Sequence, residues 1–261
     1  MPELPEVYGY QQYINATSLN QKIVGMDCRD KRLLRGSLAV FKKEIIDQSW
    51  IKTERIGKYL FVHLSSGKVL VMHFGMTGRP TYFSNIEDRP RFGHIVVAFE
   101  NGFHFAFENK RKFGWWELTD SVEKYRKANK LSIDARDLTF DEFYKGVKHR
   151  KTAIKNVLMN QSVCAGVGNW IADDVLYQAK VHPLEKAFEL SESEIKLLYD
   201  KLQHVLDIAI RLEAHYVDFP DYFLIHNRKG REHCYHTGDE LEKIKIGGRT
   251  TYYSPGWQVR K

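Results

Sequence analysis

The second residue is the one whose chemistry is most informative. The chain begins Met-Pro-Glu-Leu-Pro-Glu-Val, and removal of Met1 would leave Pro2 with a free secondary amine. An α-amino group titrates at about pH 8, so a useful fraction is unprotonated near neutrality and can attack an aldehyde-like carbon to form an iminium. Glu3 could supply or accept the proton that this reaction needs. The same residues also suit an ordinary helix start, with Pro5 in its first turn.

A second candidate for chemistry is the glycine-rich turn Gly166-Val167-Gly168-Asn169. Glycines let the backbone approach a phosphate closely, and the amides that open the following helix point toward the anion. Lys155 on the preceding helix could add a positive charge. For this motif taken alone, an ordinary turn between two helices, with Asn169 as the N-cap, is the simpler explanation.

A third candidate is the run of three cations at 110–112, which is flanked by Phe113 and two tryptophans. Such residues can combine phosphate contact with wedging against bases. A solvated basic loop beside core aromatics would look the same. The cations at 55–58 and Arg249 are ambiguous in the same way.

The composition favours a polyanionic partner. The chain has 261 residues, 43% of them hydrophobic, with 40 Lys and Arg against 33 Asp and Glu and a formal charge of +7. This length fits two modest globular domains. A basic balance of this kind most simply suits nucleic acid.

Cysteine usage and the N-terminus predict a cytoplasmic protein. Cys28, Cys164 and Cys234 are odd in number and scattered, which is typical of reduced thiols. The first residues do not form a basic segment followed by an apolar one, so we expect no signal peptide. No apolar stretch approaches the roughly 18 residues that a membrane span needs.

The elements that must position these residues change type along the chain. A helix is predicted from Pro5 to about Ala16. Period-two patterns then predict a hairpin of 59–64 with 69–74 and another of 95–99 with 103–107. Strands at this density indicate a β-sandwich or barrel. The charged stretch from about Thr119 to Asp137 is interpreted as a linker.

The second half predicts helices. Thr139 and Glu142 form a capping-box pattern, as do Ser191 and Glu194 before the longest helix. Further helices are predicted from Lys151 to about Ser162 and from Asn169 to about Lys180. The basic tail is predicted to form a β-hairpin around Gly247-Gly248. The apolar stripe of the longest helix is interpreted as core: Ile195, Leu198, Tyr199, Leu202, Val205, Leu206 and Ala209.

These motifs occur in the order that characterises one known family. From its opening heptad onward, the chain resembles the Fpg/Nei family of formamidopyrimidine-DNA glycosylases and endonuclease VIII-like enzymes over nearly its whole length. The matching motifs after the heptad are 57–60 (Gly-Lys-Tyr-Leu), 73–78 (His-Phe-Gly-Met-Thr-Gly), 111–114 (Arg-Lys-Phe-Gly), 151–155 (Lys-Thr-Ala-Ile-Lys), 166–173 (Gly-Val-Gly-Asn-Trp-Ile-Ala-Asp), Arg228-Lys229-Gly230 and 243–253.

The resemblance implies an α+β fold in three parts. Residues 1–130 would form a catalytic β-sandwich domain with a leading helix. Residues 138–225 would form a helical DNA-binding domain with a helix-two-turn-helix motif, and residues 226–261 a β-hairpin finger.

The resemblance also implies a bifunctional DNA glycosylase and abasic-site lyase of base excision repair. Pro2 would attack C1′ of a damaged nucleotide, the base would leave, and an iminium would link protein and sugar. Glu3 would assist by proton transfer, and β- and δ-elimination would then cut the strand. Lys58 matches the family lysine that contacts the phosphate beside the lesion.

Further positions match DNA-binding residues of the family. Asn169 and Arg249 match phosphate-binding residues, and His73 is expected to lie near them. Met76, Arg111 and Phe113 match the trio that fills the gap left by the flipped nucleotide, which offsets part of the cost of extrusion. Glu6 and Asp174 also match acidic positions of the family, and they are assigned roles in the structure or in supporting the site residues. The implied partner is double-stranded DNA with damaged bases or abasic sites. The protein is expected to act as a monomer and to have no membrane partner. Its expected location is the cytoplasm, or the nucleoid if the protein is bacterial.

The finger departs from the family pattern. Where the family has two Cys-x-x-Cys pairs, this chain keeps Cys234, with Thr237 at its partner position and no cysteine in the second pair. Tetrahedral zinc needs four thiolate or imidazole ligands. His233 and His236 lie on the same side of the hairpin, so we predict a finger without zinc or any other cofactor. Packing of Tyr252, Tyr253 and Trp257 would hold it.

The segment 215–223 is shorter than the loop that covers the flipped base in the family's 8-oxoguanine enzymes. The preferred base is therefore left open among 8-oxoguanine, formamidopyrimidine and oxidised pyrimidine. Two alternatives to the glycosylase also stay open, namely a lyase of abasic sites with little base removal and a non-catalytic protein that binds damaged DNA.

Overall fold

Strands dominate the first 120 residues because apolar side chains alternate along them. The computed structural model describes residues 1–228 and 232–261. Two residues of the Arg228-Lys229-Gly230 motif therefore lie outside the described residues. The chain forms two compact units, of which unit 1 comprises residues 1–2 and 6–129 and unit 2 comprises residues 3–5 and 130–261.

Unit 1 contains two sheets. One has four strands in the order β1-β7-β8-β6, and the other has five in the order β2-β9-β5-β4-β3. All neighbouring pairs are antiparallel except β2 with β9. The strands are β1 (Ile23–Cys28), β2 (Leu34–Arg35), β3 (Trp50–Ile56), β4 (Tyr59–Leu64), β5 (Val69–His73), β6 (Gly78–Phe83), β7 (Gly93–Phe99), β8 (His104–Asn109) and β9 (Trp115–Thr119).

The core of unit 1 lies between the two sheets. The ring of Trp50 on β3 meets Phe99 and Phe105 of the other sheet edge-on, at centroid distances of 5.6 and 4.9 Å. All three side chains are buried. Both predicted hairpins are confirmed, since β4 pairs with β5 and β7 with β8.

Three helices complete unit 1: α1 (Leu4–Thr17), α2 (Leu38–Ile45) and α3 (Val122–Ala128). The predicted leading helix is confirmed. The interpretation of 119–137 as a plain linker is wrong over α3, because the Ser121 side chain caps that helix at Lys124 N–H and the helix buries its own residue Tyr125.

Unit 2 is built on four helices: α4 (Phe140–Val147), α5 (Ile154–Leu158), α6 (Asn169–Gln178) and α7 (Glu192–Arg211). Both predicted capping boxes are present, at Thr139 with Glu142 and at Ser191 with Glu194. The stripe along α7 is core as predicted, apart from Tyr199, which is half-buried.

The helix predicted over 151–162 is much shorter in the structure. Before α5 the backbone bonds to another segment, with Ile154 N–H donating to the Glu185 carbonyl at 2.7 Å and Ala187 N–H to the Thr152 carbonyl at 3.2 Å. After α5 the Asn160 side chain accepts the Ser162 N–H at 2.9 Å, which closes a turn. Local side-chain bonds of this kind compete with helix.

The tail forms the predicted hairpin from β10 (Glu242–Ile246) and β11 (Arg249–Tyr253). The α+β prediction, with an N-terminal β domain and a C-terminal helical domain, is confirmed. The hairpin belongs to the same compact unit as the helices, and the three-part division stays a prediction. Among the described residues, no helix is both long and apolar enough to span a bilayer.

Candidate nucleic-acid interface

The carboxylate of Glu3 caps helix α6. Its Oε1 accepts the Trp170 N–H at 3.0 Å and its Oε2 accepts the Ile171 N–H at 3.3 Å. The next residue is tied to the same turn, since Leu4 N–H donates to the Gly166 carbonyl at 3.2 Å. Glu3 is 2% exposed. Two N–H donors at the positive end of a helix stabilise a negative charge, so this position suits a carboxylate.

Gly168 makes room for this carboxylate. A Cβ at position 168 would lie 2.2 Å from the carboxyl carbon of Glu3, so a larger residue would displace this carboxylate. Gly168 is the N-cap of α6 and Asn169 is the first helical residue. The prediction of Asn169 as the N-cap is therefore wrong, and a side chain from the other end of the sequence does the capping.

Asn169 is oriented toward the hairpin instead. Its Nδ2 donates to the Thr250 carbonyl at 2.9 Å, and its buried Oδ1 has no hydrogen-bond partner among the described residues. Arg249, next to Thr250, is exposed where β11 begins. Unit 2 thus brings together the two residues that the resemblance assigned to phosphate.

Lys155 does not belong to that surface, which corrects the prediction of a DNA-binding role. Its side chain is 0% exposed, and its Nζ lies 2.6 Å from Asp173 Oδ1 and donates to Thr251 Oγ1 at 2.6 Å. Asp173 also pairs with Arg228 at 3.2 Å. Burial lowers the pKa of the Lys155 ammonium while Asp173 opposes that shift. Lys155 therefore joins α5, α6 and β11 from the inside.

Asp174 is structural, as expected. Its Oδ1 accepts the Leu224 N–H at 2.6 Å, and complete burial raises its pKa to about 8. Glu6 is half-buried on α1.

In unit 1, Lys58 and His73 are neighbours at one end of the five-stranded sheet. Lys58 directly precedes β4, and Tyr59 on β4 pairs with His73 on β5. Burial, followed by the charges of Lys58 and Arg35, lowers the pKa of His73 to about 4. The structure thus places a neutral imidazole beside the cation predicted to contact phosphate.

Two loops of unit 1 hold the predicted gap-filling trio. Met76 lies between β5 and β6, whereas Arg111 and Phe113 lie between β8 and β9. Arg111 N–H donates to Thr77 Oγ1 at 2.9 Å, which ties the loops together. The Arg111 guanidinium lies 5.1 Å from the Phe113 ring centroid, and Phe113 is 55% exposed. The backbones are so close that a Cβ on Gly75 would lie 2.4 Å from Gly114 N.

Packing and hydrogen bonds hold the hairpin against α6. Tyr252 and Trp257 pack on a cluster that contains Tyr177, and Tyr253 packs edge-on against His182. The buried Cys234 thiol lies 3.0 Å from the Tyr177 hydroxyl.

Burial and hydrogen bonding shift the pKa of the Cys234 thiol in opposite directions. Burial raises this pKa, but the hydrogen bonds from Ser254, Thr237 and Tyr177 together lower it by more, so the pKa lies below its ordinary value. Within residues 1–228 and 232–261, no three His, Cys, Asp or Glu side chains are grouped to hold a metal. The absence of zinc stays a prediction.

The short segment 215–223 packs against the start of α6. Tyr216 meets the Trp170 ring edge-on at 5.7 Å, and Phe219 lies 6.0 Å from the same ring. Val217 is 88% exposed. Aromatic packing thus fixes this segment on the residue whose N–H binds Glu3. These features together define a class of protein with an N-terminal β domain and a helix-two-turn-helix domain. In this class the side chain of an acidic residue near the start of the chain, here Glu3, caps a helix of the second domain.

The sequence comparisons agree with this class. Residues 1–116 match the family description "Formamidopyrimidine-DNA glycosylase N-terminal domain", and residues 131–221 match "Formamidopyrimidine-DNA glycosylase H2TH domain". The formamidopyrimidine-DNA glycosylase of Pelotomaculum thermopropionicum is 31% identical over 277 residues, which cover 100% of both chains. That of Arabidopsis thaliana is 31% identical over 276 residues, covering 99% of this chain and 71% of the relative. The chain belongs to the Fpg/Nei family of DNA glycosylases.

Solved structures of the Lactococcus lactis formamidopyrimidine-DNA glycosylase are similar over their whole length. Its complex with DNA that contains an abasic site has a TM-score of 0.89 and 30% identity, covering 99% of this chain and 100% of that one. Its complex with DNA that contains FAPY-dG has a TM-score of 0.88 and 28% identity, with the same coverage.

Proposed function

We propose that this protein is a bifunctional DNA glycosylase and abasic-site lyase of base excision repair. The observation that carries the proposal is the pair of hydrogen bonds from the start of α6 to Glu3. They fix a carboxylate directly after the residue whose amine would become the nucleophile. An ordinary helix start would not require residue 3 to be buried as a cap for another helix.

The chemistry proposed for this pair runs through an iminium. The unprotonated Pro2 nitrogen forms a bond to C1′ of the damaged nucleotide as the bond from C1′ to the base breaks, and the N–H proton of Pro2 is transferred to the departing base. Glu3 accepts and returns protons at the sugar as the ring opens and the iminium forms. Loss of a C2′ proton then expels the 3′ phosphate, and loss of a C4′ proton expels the 5′ phosphate by δ-elimination. Hydrolysis of the iminium frees Pro2.

Cationic and hydrogen-bonding groups of each unit would bind the DNA backbone around this nucleotide. We assign phosphate contacts to Lys58 and His73 in unit 1 and to Asn169 and Arg249 in unit 2. The adjacency of each pair within its own unit supports this assignment. Met76, Arg111 and Phe113 would occupy the space that the flipped nucleotide vacates, because side chains on two joined loops can insert into a base stack. Met76 is half-buried, whereas Arg111 and Phe113 are exposed.

The relatives bound to abasic-site and FAPY-dG DNA support a damaged-DNA substrate. The segment 215–223, which is fixed by aromatic packing, supports a site without a long covering loop over the base. The lesion is best identified with duplexes that carry 8-oxoguanine, formamidopyrimidine, oxidised pyrimidines or an abasic site. Cleavage of the abasic duplex alone would favour the alternative, a lyase with little base removal.

Borohydride trapping tests the proposal. Processed protein incubated with abasic-site duplex and borohydride should give a covalent adduct, because reduction converts the iminium into a stable amine. Chemical blocking of the N-terminus should abolish the adduct, and Pro2→Gly, which replaces the secondary amine by a primary one, should reduce its yield. The matched control is Pro80→Gly, which changes a proline of β6 that has no role in the proposed site. No adduct from protein shown to lack Met1 would favour the non-catalytic DNA-binding alternative.

The proposed DNA substrate is consistent with the predicted cellular location, because a protein that repairs DNA must reach the compartment that holds the DNA. The cytoplasmic or nucleoid location stays a prediction. The monomeric state also stays a prediction.

A further inference from the structure

One row of side chains crosses four strands of the five-stranded sheet in unit 1. Tyr59 on β4 pairs with His73 on β5, and His73 pairs with Trp115 on β9. The His73 and Trp115 rings are stacked, with centroids 5.3 Å apart and an interplanar angle of 13°. Tyr59 lies 5.0 Å from His73 and 6.1 Å from Trp115. The imidazole therefore stacks on Trp115 and belongs to a cluster of three rings.

Arg35 on β2 covers the outer face of Trp115. Its guanidinium carbon lies 3.4 Å from the Trp115 ring centroid, which is close contact for a cation–π pair. Glu117, two residues further along β9, binds the same guanidinium at 3.1 Å. The order of the stack is thus Arg35, Trp115 and His73, with the arginine held in place by a carboxylate.

The backbone selects one tautomer of His73. Gly75 N–H donates to His73 Nδ1 at 3.2 Å, so Nδ1 must carry a lone pair. In a neutral imidazole the proton then resides on Nε2. Gly75 directly precedes Met76, so this hydrogen bond also links the imidazole to the loop that holds the gap-filling residue.

We propose that Trp115 and Arg35 are positioning residues that keep His73 as a neutral Nε2–H donor for a DNA phosphate. The assignment of the phosphate rests on the proposed function. The positioning of the ring and its tautomer rests on the contacts within unit 1 and can be measured without DNA.

The charged and titratable groups around His73 support a neutral ring. These groups are Lys58 and Tyr59 at the start of β4, Arg35 on β2, Glu117 on β9 and Tyr125 on α3. The ring of Tyr125 lies 6.0 Å from the ring of Tyr59. The two cations oppose a further positive charge, and Glu117 is engaged by Arg35. A neutral donor gives the same hydrogen bond throughout the range in which an ordinary histidine would titrate.

The first measurement is an NMR titration of the His73 ring in the free protein. The wild type should titrate at about pH 4, with Nε2 protonated above that value. Trp115→Ala exposes the ring, and the midpoint should move up by about one pH unit or more toward the ordinary value. Trp115→Phe keeps the stack and should restore the low midpoint.

The second measurement is cleavage of abasic-site duplex as a function of pH. An ordinary histidine titrates between about pH 5 and 7. The cleavage rates of the wild type and of Trp115→Phe should show no titration of His73 in that range. Trp115→Ala should gain a pH-dependent limb there and lose at least about tenfold in DNA affinity. Phe103→Ala is the matched control, since it removes an exposed ring stacked on Tyr82 in the other sheet. Arg35→Lys should keep the charge but not the flat stack, and should give an intermediate midpoint.

Two results would overturn the positioning role. One is a wild-type His73 that titrates near its ordinary pKa, and the other is a midpoint that Trp115→Ala leaves unchanged in a folded protein. If the titration behaves as proposed while no variant alters DNA binding, the positioning stands and the proposed phosphate contact is wrong.

Discussion

The Glu3 carboxylate and the Trp170 N–H are 3.0 Å apart and 167 residues apart in the chain. This bond fixes the residue after Pro2 to the first turn of α6. The residue that follows the proposed nucleophile therefore belongs to the same compact unit as the helix that it caps.

Gly168→Ala tests how closely the reaction depends on this bond. The new methyl group would overlap the Glu3 carboxylate, and a displacement of about 1 Å at a reacting group costs on the order of 100-fold in rate. We expect a comparable loss in single-turnover cleavage of abasic-site DNA. Gly9→Ala is the control, because a Cβ there has open space. Equal rates for the two variants would refute the role of the cap.

Lys155→Met separates a structural lysine from a DNA contact. Removing one partner of a buried ion pair costs about 3–5 kcal/mol, which should appear as a lower free energy of unfolding in urea. The salt dependence of DNA binding should keep its slope. Lys196→Ala, at an exposed pair with Asp200 on α7, should change the unfolding free energy little. A slope reduced by about 1 with unchanged stability would instead indicate a phosphate contact.

Arg249→Ala should behave in the opposite way. Arg249 is an exposed cation at the start of β11, and a contact with one phosphate releases about one counterion. Its loss should therefore reduce the slope of a plot of log affinity against log salt concentration by about 1. We expect weaker binding and cleavage with an unchanged urea midpoint. Unaltered affinity at low salt would remove Arg249 from the proposed interface.

Phe113→Ala should slow base removal from duplex DNA more than cleavage of a single strand. Aromatic stacking on a base contributes about 1–3 kcal/mol, so we expect a reduction of about tenfold for the duplex in single-turnover assays. A single strand leaves no gap to fill. Phe103→Ala serves again as the exposed aromatic control. Equal slowing of both substrates would argue against the gap-filling role.

Chelation tests the zincless finger. Because aromatic packing and hydrogen bonds hold the hairpin, activity should survive prolonged treatment with a strong chelator. Elemental analysis should find no stoichiometric zinc. Stoichiometric zinc, with activity lost on its removal, would overturn the prediction.

Local patterns predicted much of the fold. The apolar, β-rich runs at 59–64 and 69–74 and the capping residues Thr139 and Ser191 act within a few residues, so both hairpins and both capping boxes could be derived from the sequence. The family resemblance identified Glu3, Asn169 and Arg249 because their order is distinctive.

Long-range partners could not be predicted in the same way. The side chain that caps α6 comes from residue 3, and no local signal at Asn169 indicates this. The burial of Lys155 depends on Asp173 and Thr251, which are brought near it by tertiary folding. The stack of Arg35 on Trp115 likewise depends on the parallel pairing of β2 with β9.

The most direct test of the proposed mechanism is the site of attachment in the borohydride-reduced complex. After nuclease and protease digestion, mass spectrometry should find the sugar remnant on the N-terminal peptide, with fragmentation placing it on Pro2. We expect no modified lysine. A remnant on Lys58 or any other lysine, with an unmodified Pro2, would contradict the proposed mechanism.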